Sequence, residues 1–244
     1  MEALGVDVGG SGIKAAPVDL KTGKRLTKRK RIPTPRPSTP DAVYDVIAQL
    51  VEHFSWEGPI GCALPAVVQA GTVLTAANID DSWIGHDAAT ELGERLAKPV
   101  DVLNDADAAG LAEKVFGAAR DLDGVVILLT LGTGIGSAVF TDGVLVPNTE
   151  LGHLEFHGTS AERYAAARVI DKGVTQAEWA LRLNEFLQHL ERVLPPDVFI
   201  LGGGISKNFD AYANVLETRA TVLPARFRNR AGIVGAALAT RGTR

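Results

Sequence analysis

The sequence predicts an α/β protein built from two similar lobes with a cleft between them. A unit of strand, glycine-rich loop, strand, turn and strand occurs near Asp7 and again near Thr130. Helical segments follow both copies, and a long amphipathic helix is predicted over residues 177–193. A unit that occurs twice with helices after it is typical of two related lobes, and no low-complexity linker separates them.

The first lobe is predicted to be the smaller one and to comprise residues 1–103. Apolar alternation or short apolar runs predict its strands over residues 4–8, 13–20, 26–32, 60–64 and 100–103. A proline-rich connector follows the third strand. A helix is then predicted to begin with Thr39 as N-cap and Pro40 in the first helical position.

The second lobe is predicted to comprise residues 104–230. A helix is expected from Asp105 to about Gly117, where glycine ends it. Strands are predicted over residues 125–131, 137–140, 144–146 and 198–201. The closing helix, within residues 231–244, is expected to pack back on the first lobe.

The composition is that of an ordinary globular protein. The chain has 244 residues, 46% of them hydrophobic, and a formal net charge of −4. No apolar run reaches the roughly 18–20 residues that a membrane-spanning helix needs, and no leader pattern is visible. The single cysteine, Cys62, excludes an internal disulfide and a cysteine-cluster metal site. We therefore expect a cytoplasmic protein that does not bind membranes.

The charges are unevenly distributed along the chain. Residues 21–36 hold eight cations and no acid: Lys21, Lys24, Arg25, Lys28, Arg29, Lys30, Arg31 and Arg36. Such a block indicates a polyanion site, or else a solvated hairpin arm. No aromatic residue lies within it to stack on bases, so nucleic acid is not the expected partner.

The first glycine-rich loop lies within residues 7–14, between two predicted strands. Its glycines allow backbone N–H groups to approach an anion, Lys14 adds positive charge, and Asp7 is placed to orient a metal ion. The common nucleotide-binding loop ends in Gly-Lys-Ser/Thr and enters a helix, which this loop does not. A tight hairpin without ligand is the alternative.

The second glycine-rich loop, residues 131–136, repeats this chemistry. Thr133 offers a hydroxyl, and the alternating glycines offer backbone amides to phosphate oxygens. Three alternating glycines are weak evidence alone. Two such loops that face each other across a cleft would form a phosphate clamp.

A polar pair, Asn104 and Asp105, lies between the two loops in the sequence. A carboxylate at the start of a helix is often a cap. The alternative is that Asp105 is a general base toward a substrate hydroxyl, as kinase chemistry requires, with Asn104 holding a neighbouring hydroxyl. Asp107 is expected to be structural.

Residues 150–155 place two carboxylates and an imidazole around one glycine. Three interpretations remain open: a polar turn whose hydrogen bonds are satisfied within the protein, a metal site with few further ligands, and a site for a hydroxyl-rich ligand. Carboxylates and imidazole together can both accept and donate hydrogen bonds, so we favour a sugar over a metal.

These motifs, in this order and spacing, resemble the ROK family of sugar kinases within the actin-like ATPase superfamily. The resemblance rests on residues 7–14, 103–110, 130–136, 150–155 and 201–207, and it covers nearly the whole chain. It implies a two-lobed, ribonuclease H-like kinase fold. Within the family, the motifs are most similar to the branch that uses inorganic polyphosphate.

The resemblance also implies roles for particular residues. Asp105 matches the catalytic base. The residues matching the sugar site are Pro65, Ala66, Asn78, Asn104, Asp105, Glu150, His153 and Glu162. The residues matching the phosphate and donor side are Asp7, Gly9, Gly10, Ser11, Gly12, Lys14, Thr133, Gly134, Gly202, Gly203 and Gly204. Asp7 is expected to hold magnesium through water.

One departure concerns zinc. Most ROK proteins carry a cysteine-rich zinc loop after the motif that contains His153, and this chain has no cysteine there. No zinc is therefore expected. In the family this loop ends with a further sugar-binding glutamate, and Glu162 is the best match for it in the shortened segment.

The expected activity is transfer of the terminal phosphoryl group of inorganic polyphosphate or ATP to the 6-hydroxyl of glucose, with mannose as a candidate second sugar. Lys28, Arg29, Lys30 and Arg31 are the expected polyphosphate track, and the resemblance implies a homodimer. Two alternatives remain: an ATP-only hexose kinase of the ROK family, and a non-catalytic protein that binds a polyanion or a sugar.

Overall fold

A computed structural model describes residues 1–242, so the last two residues of the expected closing segment 231–244 lie outside the described part of the chain. The chain forms two compact units. The N-terminal unit comprises Met1–Ala112 and the segment from Arg230, and the C-terminal unit comprises Glu113–Asn229. The division falls inside a helix rather than at a linker.

The secondary structure alternates between strands and helices. The strands are β1 (Glu2–Gly9), β2 (Gly12–Asp19), β3 (Lys24–Arg25), β4 (Lys30–Ile32), β5 (Ile60–Leu64), β6 (Val68–Gln69), β7 (Thr72–Val73), β8 (Val100–Asn104), β9 (Val125–Leu131), β10 (Ile135–Thr141), β11 (Val144–Val146), β12 (Glu155–Phe156), β13 (Thr159–Ser160), β14 (Val198–Gly202) and β15 (Thr221–Pro224). The helices are α1 (Pro40–His53), α2 (Ala88–Leu96), α3 (Asp105–Phe116), α4 (Ala161–Ala165), α5 (Arg168–Asp171), α6 (Gln176–Val193) and α7 (Ala231–Ala239). Short 3₁₀ segments cover Asp81–Trp83, Leu151–His153, Gly204–Ala211, Ala213–Val215 and Arg228–Arg230.

The two main sheets have the same strand order, which confirms the predicted repeat. The N-terminal sheet runs β3-β2-β1-β5-β8, with β4 also paired to β2, and the C-terminal sheet runs β11-β10-β9-β14-β15. In each sheet the glycine loop joins an antiparallel pair, β1–β2 or β9–β10. The strands on the other side of β1 and β9 are parallel to them. The α/β class predicted from the sequence is therefore confirmed.

The N-terminal sheet is covered on both faces. On one face, apolar side chains of β1 and β2 pack with α1 and α2 in a single core cluster. On the other face, α7 contacts the backbone of the sheet directly. A Cβ on Gly5 would lie 1.9 Å from the Ile233 carbonyl oxygen, and one on Gly61 would lie 1.7 Å from that of Ala236. Glycine at both positions permits this close approach.

The core of the C-terminal unit joins its sheet to α6. Alternate residues of β9, Ile127, Leu129 and Leu131, are buried in the same cluster as Trp179 and Phe186 of α6. The α6 helix begins one residue before the predicted position, and the Thr175 side chain caps it by accepting a hydrogen bond from the Glu178 N–H.

Two local predictions need correction. The third strand does not run unbroken over residues 26–32. Arg25 pairs with Val18, and Lys30 pairs with Ala15. From Arg25 to Lys30 the chain advances by five residues where β2 advances by three, so its two extra residues form a bulge. Helix α1 does begin at Pro40, but the Thr39 side chain makes no capping hydrogen bond.

No helix within residues 1–242 combines the length and the hydropathy that crossing a membrane requires.

Candidate active site

The first glycine-rich loop is a tight hairpin between β1 and β2. Gly9 pairs with Gly12, which leaves Gly10 and Ser11 as a two-residue turn. Asp7 and Lys14 pair across the same two strands, and the Lys14 Nζ lies 3.2 Å from the Asp7 Oδ2. This ion pair places a cation and a carboxylate at the base of a loop with exposed backbone.

The edge strand β4 also contacts this loop. Arg31 pairs with Lys14, and its guanidinium donates hydrogen bonds to the backbone oxygen and side chain of Ser11. A Cβ on Gly12 would lie 2.3 Å from the Arg31 Nε, so the guanidinium covers that glycine. Arg31 is thus brought to the loop, while Lys28, Arg29 and Lys30 are exposed along the same edge.

Several predicted site residues meet at one edge of the N-terminal sheet. Strands β1, β5 and β8 are parallel, and their carboxyl ends lie at the same edge. Asp7 is near the end of β1, Pro65 and Ala66 follow β5, and Asp105 follows β8. In open α/β sheets this edge is where ligands bind.

The residue that caps α3 is Asn104. Its Oδ1 accepts hydrogen bonds from the backbone N–H groups of Ala106, at 2.8 Å, and Asp107, at 3.0 Å. Its Nδ2 donates to the Ala66 carbonyl oxygen at 3.1 Å, which ties the end of β8 to the chain after β5. The capping interpretation therefore applies to Asn104. Asp105 is the first helical residue, and it is half-buried.

Asn78 lies on an exposed loop beside the first glycine-rich loop. Its carbonyl oxygen would be 3.7 Å from a Cβ on Gly10. The loop is anchored by Trp83, which is fully buried and whose Nε1 donates to the Ser38 carbonyl oxygen at 2.7 Å. This anchor holds an exposed segment at a defined place on the N-terminal unit.

In the C-terminal unit, the second glycine-rich loop connects β9 and β10. Thr133 is exposed at its tip. A Cβ on Gly134 would lie 2.4 Å from the Glu162 Oε2, so that carboxylate contacts the loop. Gly203 lies directly after β14 with φ +83°, and a Cβ there would lie 2.1 Å from the Leu131 carbonyl oxygen. The structure thus brings the predicted Gly202–Gly204 segment to the start of this loop.

Glu150, His153 and Glu162 form a charged group in the same unit. The His153 Nδ1 lies 3.7 Å from the Glu150 Oε2. Burial raises the pKa of Glu150, while nearby His153 lowers this pKa and the charge of Glu162 raises it further. A half-buried carboxylate beside an imidazole and a second carboxylate can accept and donate hydrogen bonds to a polyhydroxy ligand.

Ser137 supports the site, and its role was not predicted from the sequence. It is fully buried on β10. Its Oγ donates to the Thr149 carbonyl oxygen at 2.6 Å and accepts from the Leu151 N–H at 3.0 Å. These two bonds hold the backbone on both sides of Glu150. The only sequence signal is a serine within an otherwise apolar strand.

The profile of the ROK family matches residues 3–174. The chain belongs to the ROK family. A polyphosphate glucokinase of Mycobacterium tuberculosis is 51% identical to it over 239 residues, which cover 97% of this chain and 90% of the relative.

Solved ROK structures share the fold of this ROK protein. The inorganic polyphosphate/ATP-glucomannokinase of Arthrobacter sp. strain KM has a TM-score of 0.92 and 47% identity, covering 98% of this chain and 99% of that one. A ROK family glucokinase from Streptomyces griseus, in complex with glucose and AMPPNP, has a TM-score of 0.86 and 26% identity, covering 99% of this chain and 100% of that one. The predicted kinase fold is therefore confirmed.

The described residues of this ROK protein form no cluster of metal-binding side chains. Within the described chain, no group of three or more His, Cys, Asp and Glu side chains is arranged to hold a metal ion. Cys62 is a core residue of β5, and burial raises the pKa of its thiol to about 12. A metal ion at Asp7 would need ligand atoms from the substrate.

Proposed function

We propose that this ROK protein transfers the terminal phosphoryl group of inorganic polyphosphate, and of ATP, to the 6-hydroxyl of glucose. The observation that carries the proposal is that the first glycine-rich loop and Asp105 lie at the same edge of one sheet. The 51% identity to a polyphosphate glucokinase supports both the sugar and the donor.

Asp105 is the proposed general base. Its carboxylate accepts the proton of the sugar hydroxyl while that oxygen forms a bond to the terminal phosphorus and the bond from phosphorus to the donor breaks. Asn104 caps α3 through its own side chain, and this cap fixes the position of the next residue, Asp105.

The glycine-rich loops are the proposed donor site. Gly9, Gly10, Ser11 and Gly12 with Lys14, and Thr133, Gly134 and the Gly202–Gly204 segment, present backbone N–H groups, a hydroxyl and a cation, which suit phosphate oxygens. The residues fit a magnesium ion that arrives with the donor, because Mg²⁺ is usually held by one or two carboxylates together with substrate phosphates. Asp7 would hold it, and the ion would neutralise charge on the donor oxygens.

The proposed sugar ligands are the residues that match the family's sugar site. Those in the N-terminal unit are Pro65, Ala66, Asn78 and Asn104, and those in the C-terminal unit are Glu150, His153 and Glu162. Mannose is a candidate second sugar, because a similar protein is named a glucomannokinase. We also propose a cytoplasmic homodimer that binds no zinc, and light scattering on the purified protein tests the dimer.

The test is glucose 6-phosphate formation by the purified protein with magnesium and either polyphosphate or ATP as sole donor. Turnover with both donors is the expected result. Turnover with ATP alone would indicate an ATP-only hexose kinase. Tight binding of sugar or polyphosphate without turnover of glucose or mannose would indicate a non-catalytic binding protein and would overturn the proposal.

Ser137→Ala is expected to raise the KM for glucose about tenfold, because two hydrogen bonds that hold the backbone beside Glu150 are lost. The KM for the donor should change less than twofold, measured by steady-state kinetics. Ser206→Ala is the matched control, since this equally buried serine donates to the Gly203 carbonyl oxygen instead. A glucose KM that rises as much in the control would contradict the positioning role.

The KM for glucose is expected to rise as the pH falls through the raised pKa of Glu150, because protonation removes a hydrogen-bond acceptor. Glu162→Gln removes a charge that raises this pKa. In that variant, the rise in the KM for glucose at acidic pH should therefore begin at a lower pH. If the rise in the KM for glucose occurs at the same pH in Glu162→Gln, or persists in Glu150→Gln, Glu150 is not the group that causes it.

A further inference from the structure

Two arginines of the edge strands share one face of the N-terminal sheet. Side chains of residues paired across strands lie on the same face, as do residues four apart on one strand. Arg31 pairs with Lys14, and Arg25 pairs with Val18, four residues further along β2. Both arginines therefore lie on the face that carries Asp7 and Lys14.

The neighbouring lysines lie on the opposite face. Lys24 pairs with Asp19 and Lys30 pairs with Ala15, so each is turned away from the arginine that follows it. In the two paired strands, the arginines Arg25 and Arg31 therefore lie on the side of Asp7, and the lysines Lys24 and Lys30 lie on the other side.

Two further arginines act on Arg25 through their charges. Arg29 is in the bulge between β3 and β4, and Arg230 directly precedes α7, the helix that packs on this face. Burial and the like charges of Arg29 and Arg230 lower the pKa of Arg25. Like-charged guanidinium groups repel one another, and an anion among them removes this repulsion.

Within the described part of the chain, the cations of residues 21–36 are not neutralised by acidic side chains. Among residues 1–242, no ion pair within 4.0 Å involves any of the eight cations in residues 21–36. The planar guanidinium binds phosphate oxygens in pairs, which an ammonium group does not. The row from Arg31 to Arg25 spans four residues of β2, or about 13 Å.

We propose that Arg31, Arg29 and Arg25 form an extended polyphosphate site that runs along this face from the first glycine-rich loop. The site rests on the proposed function. It differs from the expected polyphosphate track because Lys30 lies on the other face and is not part of it. A triphosphate held at the loop ends short of Arg25. The distal arginines therefore act on long polyphosphate chains and not on ATP.

The test compares two double variants that remove equal charge. Arg25→Gln with Arg29→Gln is expected to raise the KM for long-chain polyphosphate about tenfold and to reduce its salt dependence. The KM values for tripolyphosphate and ATP should change less than twofold. Lys21→Gln with Lys24→Gln is the matched control and should leave all three values within twofold. The charge-conserving Arg25→Lys with Arg29→Lys variant should keep the salt dependence but lose part of the affinity for the long chain, because ammonium groups do not bind phosphate oxygens in pairs.

Each contrary result identifies which claim fails. An equal loss in the lysine control would show that general charge, and not this row, binds the polymer, and would overturn the site. An equal loss with ATP would show that the arginines support the fold or the transfer site, and would also overturn it. Wild-type protein that uses ATP and no polyphosphate would overturn the proposed donor together with the site. Wild-type use of polyphosphate that the arginine variant leaves unchanged would overturn the site alone.

Discussion

Asp105→Asn is expected to lower kcat with glucose by about 10²–10⁴-fold, because the amide cannot accept the proton of the attacking hydroxyl. The variant should fold normally. Asparagine has nearly the same shape as aspartate, and the cap of α3 is the Asn104 side chain. The KM for glucose should change little, since loss of a base acts on the transition state more than on the ground state.

Steady-state kinetics with both donors measures this effect, and thermal unfolding checks the fold. Asp101→Asn is the matched control, because Asp101 is an exposed carboxylate near the opposite end of β8. It should retain wild-type turnover. If Asp105→Asn keeps more than about a tenth of wild-type kcat, Asp105 is not the base.

Gly235→Ala is expected to destabilise the N-terminal unit by about 3 kcal/mol, at the upper end of ordinary overpacking. A Cβ at this position would lie 1.6 Å from the Ala108 carbonyl oxygen of α3. The two helices would have to separate, and α7 would then lose its contact with β1 and β5. Urea unfolding monitored by circular dichroism measures the change.

Gly232→Ala in the same helix is the control for this prediction. Its Cβ would lie 2.9 Å from the Asp7 carboxyl carbon, a side chain that can rotate. Alanine also favours a helix over glycine by about 1 kcal/mol. This variant should unfold at nearly the wild-type urea concentration while its kcat falls. Equal destabilisation of both variants would contradict the α3–α7 contact as the cause.

The repeated fold was predictable because its signals are local. Apolar alternation marked β1 and β2, a continuous apolar run marked β9, and each glycine-rich loop marked a tight connection. The same strand order in both sheets then follows from one unit used twice. The bulge between β3 and β4 was not predictable, because it depends on how the chain pairs with β2 and not on its own residues.

The site was predictable where side-chain chemistry is unusual, and not where ordinary residues support it. Asn104 and Asp105 are both good residues for the start of a helix, so the sequence left open which one is the cap. Ser137 gave almost no signal, because its role depends on the backbone that folds over it. The contact of Arg31 with the first loop depends on how β4 pairs with β2. The distribution of charges along the sequence does not show this pairing.

The proposed activity of this ROK protein is phosphoryl transfer from inorganic polyphosphate to the glucose 6-hydroxyl. Phosphorus NMR of the purified protein with magnesium, glucose and polyphosphate as sole donor tests it most directly. We expect a growing glucose 6-phosphate signal that Asp105→Asn nearly eliminates. A folded wild-type protein that forms no sugar phosphate from glucose with polyphosphate would contradict it.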